Sequence, residues 1–119
     1  QLNMQKTILL NGKLCSTNTL YRFSRYGMYM TKNGQETKSS YQKQALAQWR
    51  EKPIEHDHIE LVINLFFNDK RRRDWDNYHK ISGDALNGIV YKDDCQIHKA
   101  TVTKNYTHGE PCIIIDIIF

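Results

Sequence analysis

The sequence predicts an α+β domain, a mixed β-sheet with two principal helices, occupying residues 1–119 as one unit. Three observations carry this. Apolar runs of strand length recur near the start, middle and end of the chain, at Lys6–Leu10, His58–Phe67 and Cys112–Phe119. Two stretches with helical spacing lie between them, over 37–50 and 77–87. A length of 119 residues is that of one domain.

Taken in order, Lys6–Leu10 reads as a strand closed by the turn pair Asn11-Gly12. Residues 14–27 lack a period and read as an ordered loop. Met28–Thr31 reads as a short strand and Asn33-Gly34 as a turn. From Thr37 to Arg50, Tyr41, Ala45 and Trp49 fall at i, i+4 and i+8, which is a helical stripe that Pro53 ends. His58–Phe67 mixes alternation with a continuous apolar centre, which predicts a strand buried on both faces. Asn77–Asn87 reads as a helix with Asp76 as N-cap and Gly88 as its stop. Gln96–Thr103 is a strand and Thr107–Glu110 a turn. Cys112–Phe119 is a last strand, so that antiparallel strands close the chain. Asp116 interrupts that final apolar run, and either a solvent-facing edge or a cation across an interface would accommodate it.

Composition excludes several classes. No run approaches eighteen apolar residues, so no transmembrane helix is expected. No basic-then-apolar leader opens the sequence as given. Two Pro and six Gly are too few for a linker-like or collagen-like chain, and 11% aromatics argue against disorder. Cys15, Cys95 and Cys112 are odd in number and widely spaced, which fits free thiols in a reducing compartment. The apolar share of 39% is thin for a small domain and points to a partner subunit.

The net charge of +4 is mild, but its placement is informative. Lys70, Arg71, Arg72 and Arg73 form a dense basic run with carboxylates on both sides. A plain nucleic-acid binder has little use for acids inside its basic patch, because they repel phosphates. Asp74 and Asp76 are two apart, which in an extended segment puts both side chains on one side. A cation between them would turn repulsion into ligation, and oxygen donors favour Mg²⁺ or Mn²⁺. With a helix starting near Asn77, the residues Asp76, Lys80 and Asp84 would share one face. Asp93 and Asp94, at the mouth of the next strand, add a further acidic source. Such a cage suits metal-dependent phosphodiester hydrolysis, with Lys80 stabilising charge in the transition state and the arginines delivering the polyanion.

At these residues the sequence resembles the RusA family of Holliday-junction resolvases, many of them phage or prophage encoded. The resemblance rests on Arg71-Arg72-Arg73, Asp74-Trp75-Asp76-Asn77, Lys80, Asp84, Leu86, Tyr91 and Asp93-Asp94-Cys95-Gln96, with Ser16-Thr17-Asn18 and Tyr21 echoing the family nearer the amino terminus. It implies a RusA-like fold and a homodimer with two active sites. It implies Mg²⁺- or Mn²⁺-dependent nicking of four-way DNA junctions in recombination and repair, in the cytoplasm of a bacterial host. It further implies metal-binding carboxylates at Asp74, Asp76 and Asp94, with Asp93 as a further candidate, and a catalytic lysine at Lys80.

Other features have plainer readings. Lys80 pairs with Asp76 or Asp84 on a helix face without catalytic meaning. One of the three arginines is expected to pair with an acid rather than a phosphate. Tyr21, Arg22, Phe23, Arg25 and Tyr26 interleave aromatic and basic side chains, as a loop packed on its own aromatics or as a stacking wedge at a junction centre. His56-Asp57-His58 reads as a solvated strand entrance, lacking a third ligand. Rival functions are a junction-binding accessory protein without turnover, a nuclease for flaps or other branched DNA, and an interaction protein whose charged run is only a solvated face.

Overall fold

The computed structural model describes residues 4–119. The elements are β1 (Gln5–Asn11), α1 (Thr17–Leu20), β2 (Tyr21–Ser24), β3 (Gly27–Met30), α2 (Lys32–Gln48), β4 (Ile59–Phe67), α3 (Lys80–Leu86), β5 (Ile97–Tyr106) and β6 (Cys112–Ile118). Short 3-10 turns at Trp75–Asn77 and Asp94–Gln96 flank α3. This is the expected α+β architecture with a mixed sheet, whose strand order is β1-β6-β4-β5. The last strand, β6, does not pair with β5. It inserts between β1 and β4, antiparallel to both, while β5 runs parallel to β4 on the far side. The antiparallel closure expected of the two final strands is therefore replaced by an insertion. The parallel β4–β5 pair needs a long crossover, and α3 lies within it.

The register lines apolar side chains up across three strands. Ile8 sits opposite Ile115, which sits opposite Ile63, and the Leu10–Ile113–Leu65 row lies one pleat along. All six are buried. Tyr41, Ala45 and Trp49 of the helical stripe join the same cluster with Ile81, Ala85 and Leu86 of α3. The opposite face differs: Glu60, Val62, Asn64 and Phe66 of β4 and Cys112, Ile114, Asp116 and Ile118 of β6 are only half-buried. The strand predicted to be buried on both faces is thus buried on one. Asp116 lies on this open face of an interior strand, where the Thr7 hydroxyl donates to it at 2.6 Å.

The edge of β1 is covered by glutamines. Gln48 of α2 accepts from the Leu9 amide and donates to its carbonyl, both at 2.8 Å, and Gln44 does the same at Asn11 at 2.7 and 3.0 Å. These side-chain amides, one helical turn apart, stand in for a neighbouring strand and block edge-to-edge pairing.

Three local expectations change. The aperiodic stretch 14–27 holds α1 and most of the β2–β3 hairpin, elements too short to show a period. Asn33-Gly34 is no turn but the first turn of α2, where Thr31 caps the helix by accepting from the Gly34 amide at 3.1 Å. The second long helix begins at Lys80 rather than Asn77, because the 3-10 turn at Trp75–Asn77 takes the preceding residues. Gly88, at φ +80°, does stop it.

Gly34 is demanded by packing. A Cβ there would run into the backbone carbonyl of Leu20, so the start of α2 sits directly on the base of the hairpin. Gly→Ala inside a helix ordinarily stabilises by up to about 1 kcal/mol. Here Gly34→Ala is expected to reverse that sign and cost about 2 kcal/mol through overpacking against backbone that cannot yield. Thermal unfolding followed by circular dichroism measures it, and an unchanged or raised Tm would refute the close approach.

Candidate active site

The crossover from β4 to β5 forms a cleft of about 420 Å³ over those two strands. Leu61 and Ile63 of β4 and Ile97 and Ala100 of β5 make its apolar floor. Asp76, His79, Lys80, Asp84 and Asp94 line its walls, and Thr17 and Asn18 of α1 close one side. The structure thus brings four of the sequence-singled residues, Asp76, Lys80, Asp84 and Asp94, to one opening.

Each wall residue is fixed locally. Asp76 sits in the first 3-10 turn, which the Thr17 hydroxyl pins by donating to the Asn77 carbonyl at 2.9 Å. Lys80 is the first residue of α3, and its Nζ lies 3.5 Å from Asp84 Oδ2, one helical turn on. The same ammonium stands 5.3 Å from the centre of the Tyr21 ring. Tyr21 is buried and its hydroxyl donates to Asp84. Burial, then the Asp84 carboxylate, raises the Tyr21 phenol well above its ordinary range, so it stays a neutral donor. Burial likewise lowers the imidazole of His79, which stacks on the half-exposed Trp75 ring at 6.3 Å.

Asp94 opens the second 3-10 turn. Asp93 caps that turn by accepting from the Asp94 amide at 3.0 Å. Gln96 closes the capping box: its Oε1 accepts from the amides of Lys92 and Asp93 at 2.8 and 3.0 Å. Its Nε2 donates to the Ile54 and His56 carbonyls at 2.7 and 3.0 Å, so this buried glutamine ties the turn to the approach to β4. The Asp94 carboxyl is raised above its ordinary value, first by lost hydration on its cleft side and then by the charges of Asp93 and Asp84. Negative charge is concentrated here beyond what Lys80 offsets.

Asp74 and Asp76 are both exposed: Asp74 is the extended residue before the 3-10 turn, and Asp76 lies within the turn and lines the cleft. One geometric expectation is corrected: Asp76, Lys80 and Asp84 do not share one helix face, since only the latter two lie on α3. Among the described residues, no three His, Cys, Asp or Glu side chains converge closely enough to hold a metal ion as they stand. Three carboxylates, Asp76, Asp84 and Asp94, nevertheless line the cleft, and carboxylate oxygens suit a hard divalent cation.

Two arginines of the basic run, rather than one, reach an acid, Arg73 closely and Arg71 loosely. Arg73 meets Asp69 at 2.7 Å, its guanidinium lies 4.2 Å over the Phe67 ring, and its side chain is only 15% exposed. Arg71 reaches the same carboxylate at 3.5 Å while remaining exposed. Lys70 lies over the Tyr106 ring at 4.9 Å, and Arg72 is exposed. Arg71, Arg72 and Lys13 line a second, basic cleft of about 360 Å³ that also includes Ser16 and Thr19. Helix α1 therefore borders both clefts. Thr17, Asn18 and Tyr21 are cleft or support residues that spacing alone did not reveal, since their neighbours lie some sixty positions away in the chain.

The histidine pair gains a neighbour, with His98 at 5.8 Å from His58, but the three rings form no metal cluster. Cys15, Cys95 and Cys112 are free. No helix among the described residues is long and apolar enough to cross a membrane.

The Asp69 pairing has a pH signature. The Arg73 hydrogen bond, then the Arg71 amide, holds the Asp69 carboxyl at about 2 against an ordinary 3.8. A carboxyl lowered by folding contributes stability above its unfolded value and loses it as pH falls toward the folded one. Asp69→Asn is expected to lower the urea midpoint at pH 7, with the wild-type and variant midpoints drawing together between pH 4 and 2. A gap that stays constant to pH 2 would show that the carboxylate charge contributes nothing.

Residues 14–118 match the family model described as Endodeoxyribonuclease RusA. No curated protein matches the chain. The matched region contains the acidic cleft, all of the basic cleft's lining but Lys13, the hairpin and every strand but β1, and the chain belongs to the RusA family of endodeoxyribonucleases.

Proposed function

We propose that this chain is a Mg²⁺- or Mn²⁺-dependent endodeoxyribonuclease that resolves four-way DNA junctions by paired nicks, acting as a homodimer. One observation carries the reading: Asp76, Lys80, Asp84 and Asp94 come from separate parts of the crossover to line one cleft, beside a basic segment. Asp74, Asp76 and Asp94 would hold the metal, with Asp93 as a further candidate. Asp93 already spends its carboxylate on capping the turn. A divalent ion bound there supplies Lewis-acid polarisation of the phosphate and a more acidic water.

The chain's own groups do the rest. Asp84, held by the Tyr21 hydroxyl, positions the Lys80 ammonium at the cleft wall. From there Lys80 offsets the charge that builds on the phosphate as the P–O bond breaks. The apolar floor limits water on the sheet side. Lys70, Arg71 and Arg72 contact flanking phosphates, whereas Arg73 is committed to Asp69 and shapes the segment.

The dimer reading rests on the open sheet face. Val62, Phe66, Ile114 and Ile118 are half-buried on a face that the helices do not cover, and Leu9 extends it. A sheet face of this composition is ordinarily covered by another layer. A second copy would cover it and bring the second site that symmetric cuts need.

A second reading, junction binding without turnover, is favoured by the absence of three converging ligands among the described residues. Junction cleavage in Mg²⁺ and in EDTA separates the two. Wild type is expected to nick only with metal. Asp94→Asn is expected to bind the junction without nicking it, and Lys80→Ala to slow nicking by ~100-fold. Binding without nicking by wild type in either Mg²⁺ or Mn²⁺ would establish the second reading. For the dimer, Ile114→Lys places a charge on the open face without entering the core. Wild type is expected to sediment at twice the 14.1 kDa chain mass and the variant at that mass, with nicks no longer paired. Wild type sedimenting as a single chain would refute the dimer.

A further inference from the structure

The β2–β3 hairpin stands apart from the main sheet as a separate two-stranded ribbon. Such a ribbon is barely stable alone, and this one is clamped only at its base. Tyr21 is buried there and Met30, its cross-strand partner, is half-buried. The Thr31 hydroxyl donates to the carbonyls of Thr19 and Leu20 at 2.8 and 3.2 Å. Beyond the base, Phe23 is 83% and Tyr26 85% exposed, and Met28 and Tyr29 are exposed beside them. The plainer expectation, a loop packed on its own aromatics, does not hold. A concentration of large apolar side chains held in water by a dedicated scaffold marks a contact surface.

The surroundings select the partner. No Asp or Glu occurs before Glu36, while Lys6, Lys13, Arg22, Arg25 and Lys32 all do. Arg25 lies 4.9 Å over the Tyr26 ring and donates to its hydroxyl at 2.7 Å, so the tip presents a guanidinium stacked on a phenol. Arg22 donates to the Asn18 carbonyl and lies opposite Tyr29. Alternating planar rings and fixed positive charge fit a polyanion that carries flat bases. A second copy of the hairpin would bring like charges together. The root also sets the position: Tyr21 bonds the Asp84 of the acidic cleft, and Ser24 lies three residues along at ~3.3 Å each. Phe23 and Tyr26 therefore follow within five residues of the side chain that bonds the cleft wall.

We propose that this hairpin is a base-stacking finger, in which Phe23 and Tyr26 stack on unpaired bases at the branch point of a DNA whose scissile strand lies in the acidic cleft, with Arg22 and Arg25 on the adjoining phosphates. The placement of the scissile strand rests on the nuclease reading. The stacking itself does not, because it is measured without cleavage.

Affinity is measured in EDTA for a four-way junction and for a linear duplex of the same sequence. Phe23→Ala and Tyr26→Ala are each expected to weaken junction binding ~10-fold and to leave duplex binding within about twofold, since each removes one stacked base. Phe23→Trp, which keeps a ring, is expected to bind as wild type does. Unchanged thermal unfolding of all three variants would show that the loss is not one of folding. Bromodeoxyuridine at the branch point is expected to crosslink to the hairpin under ultraviolet light. Wild-type junction affinity in both alanine variants overturns the finger, as does an equal loss on the duplex. A change of sedimentation in the alanine variants without DNA would show a protein-docking hairpin and also overturn it. If wild type nicks nothing in Mg²⁺ or Mn²⁺, the nuclease reading fails while the EDTA binding series still decides the finger.

Discussion

The parallel pairing of β4 with β5 is the constraint from which the site follows. Two parallel neighbours cannot be joined by a tight turn, so the chain leaving Phe67 must travel back along the sheet before Ile97 can start. That return path holds the basic run, both 3-10 turns and α3. Beside the short α3, Leu61, Ile63, Ile97 and Ala100 of the two strands form the floor of the cleft. Asp76 and Lys80, just before and at the start of α3, share the cleft with Asp94, at the entrance to β5, because the crossover returns along the sheet. The insertion of β6 supports this indirectly. Antiparallel to both neighbours, it fills the middle of the sheet with Ile113, Ile115 and Ile117 and leaves β5 on the outside, where the crossover can reach it.

Charge is arranged so that acids and bases occupy one neighbourhood without cancelling. Asp69 is the residue that makes this workable. By taking Arg73 it folds the basic segment back onto Phe67, and Arg71 and Arg72 are turned toward the second cleft rather than toward Asp76 and Asp94. An arginine beside those acids would neutralise them in the resting protein and remove the reason for a cation to bind. Instead the Asp94 carboxyl is raised, first by lost hydration and then by the charges of Asp93 and Asp84, with Lys80 acting the other way. Concentrated negative charge with a basic trough beside it, and α1 bordering both, is an arrangement that draws in a phosphate backbone and leaves a place for a divalent ion.

The strands with strong pattern were legible: β1, β4 and β6 are near where alternation and apolar runs put them, and Gly88 stops α3 as its position suggested. The failures have physical causes. Asn33-Gly34 has turn chemistry, but Thr31 supplies a cap and Leu20 forbids a side chain, so tertiary contact overrode the local signal. The β6 insertion depends on which strands find each other, which a pattern of apolar residues does not encode. In the site, the crossover residues were legible because their spacing is local and dense. Tyr21, Thr17 and Asn18 were marked only by the family resemblance, because nothing in their own stretch announces that residues 77 and 84 will lie beside them.

Tyr21 joins these levels. It begins the hairpin strand, so its ring is packed as a core residue, yet its hydroxyl ends on a carboxylate of the cleft wall. Burial keeps the phenol protonated across the ordinary pH range, so the donation to Asp84 does not switch off. Asp84 then has two partners, a neutral donor and the Lys80 ammonium, and the first does not depend on the charge of the second. The same hydrogen bond ties the base of the hairpin to the cleft wall, so the exposed rings of Phe23 and Tyr26 extend from an element joined to the carboxylate that Lys80 pairs with.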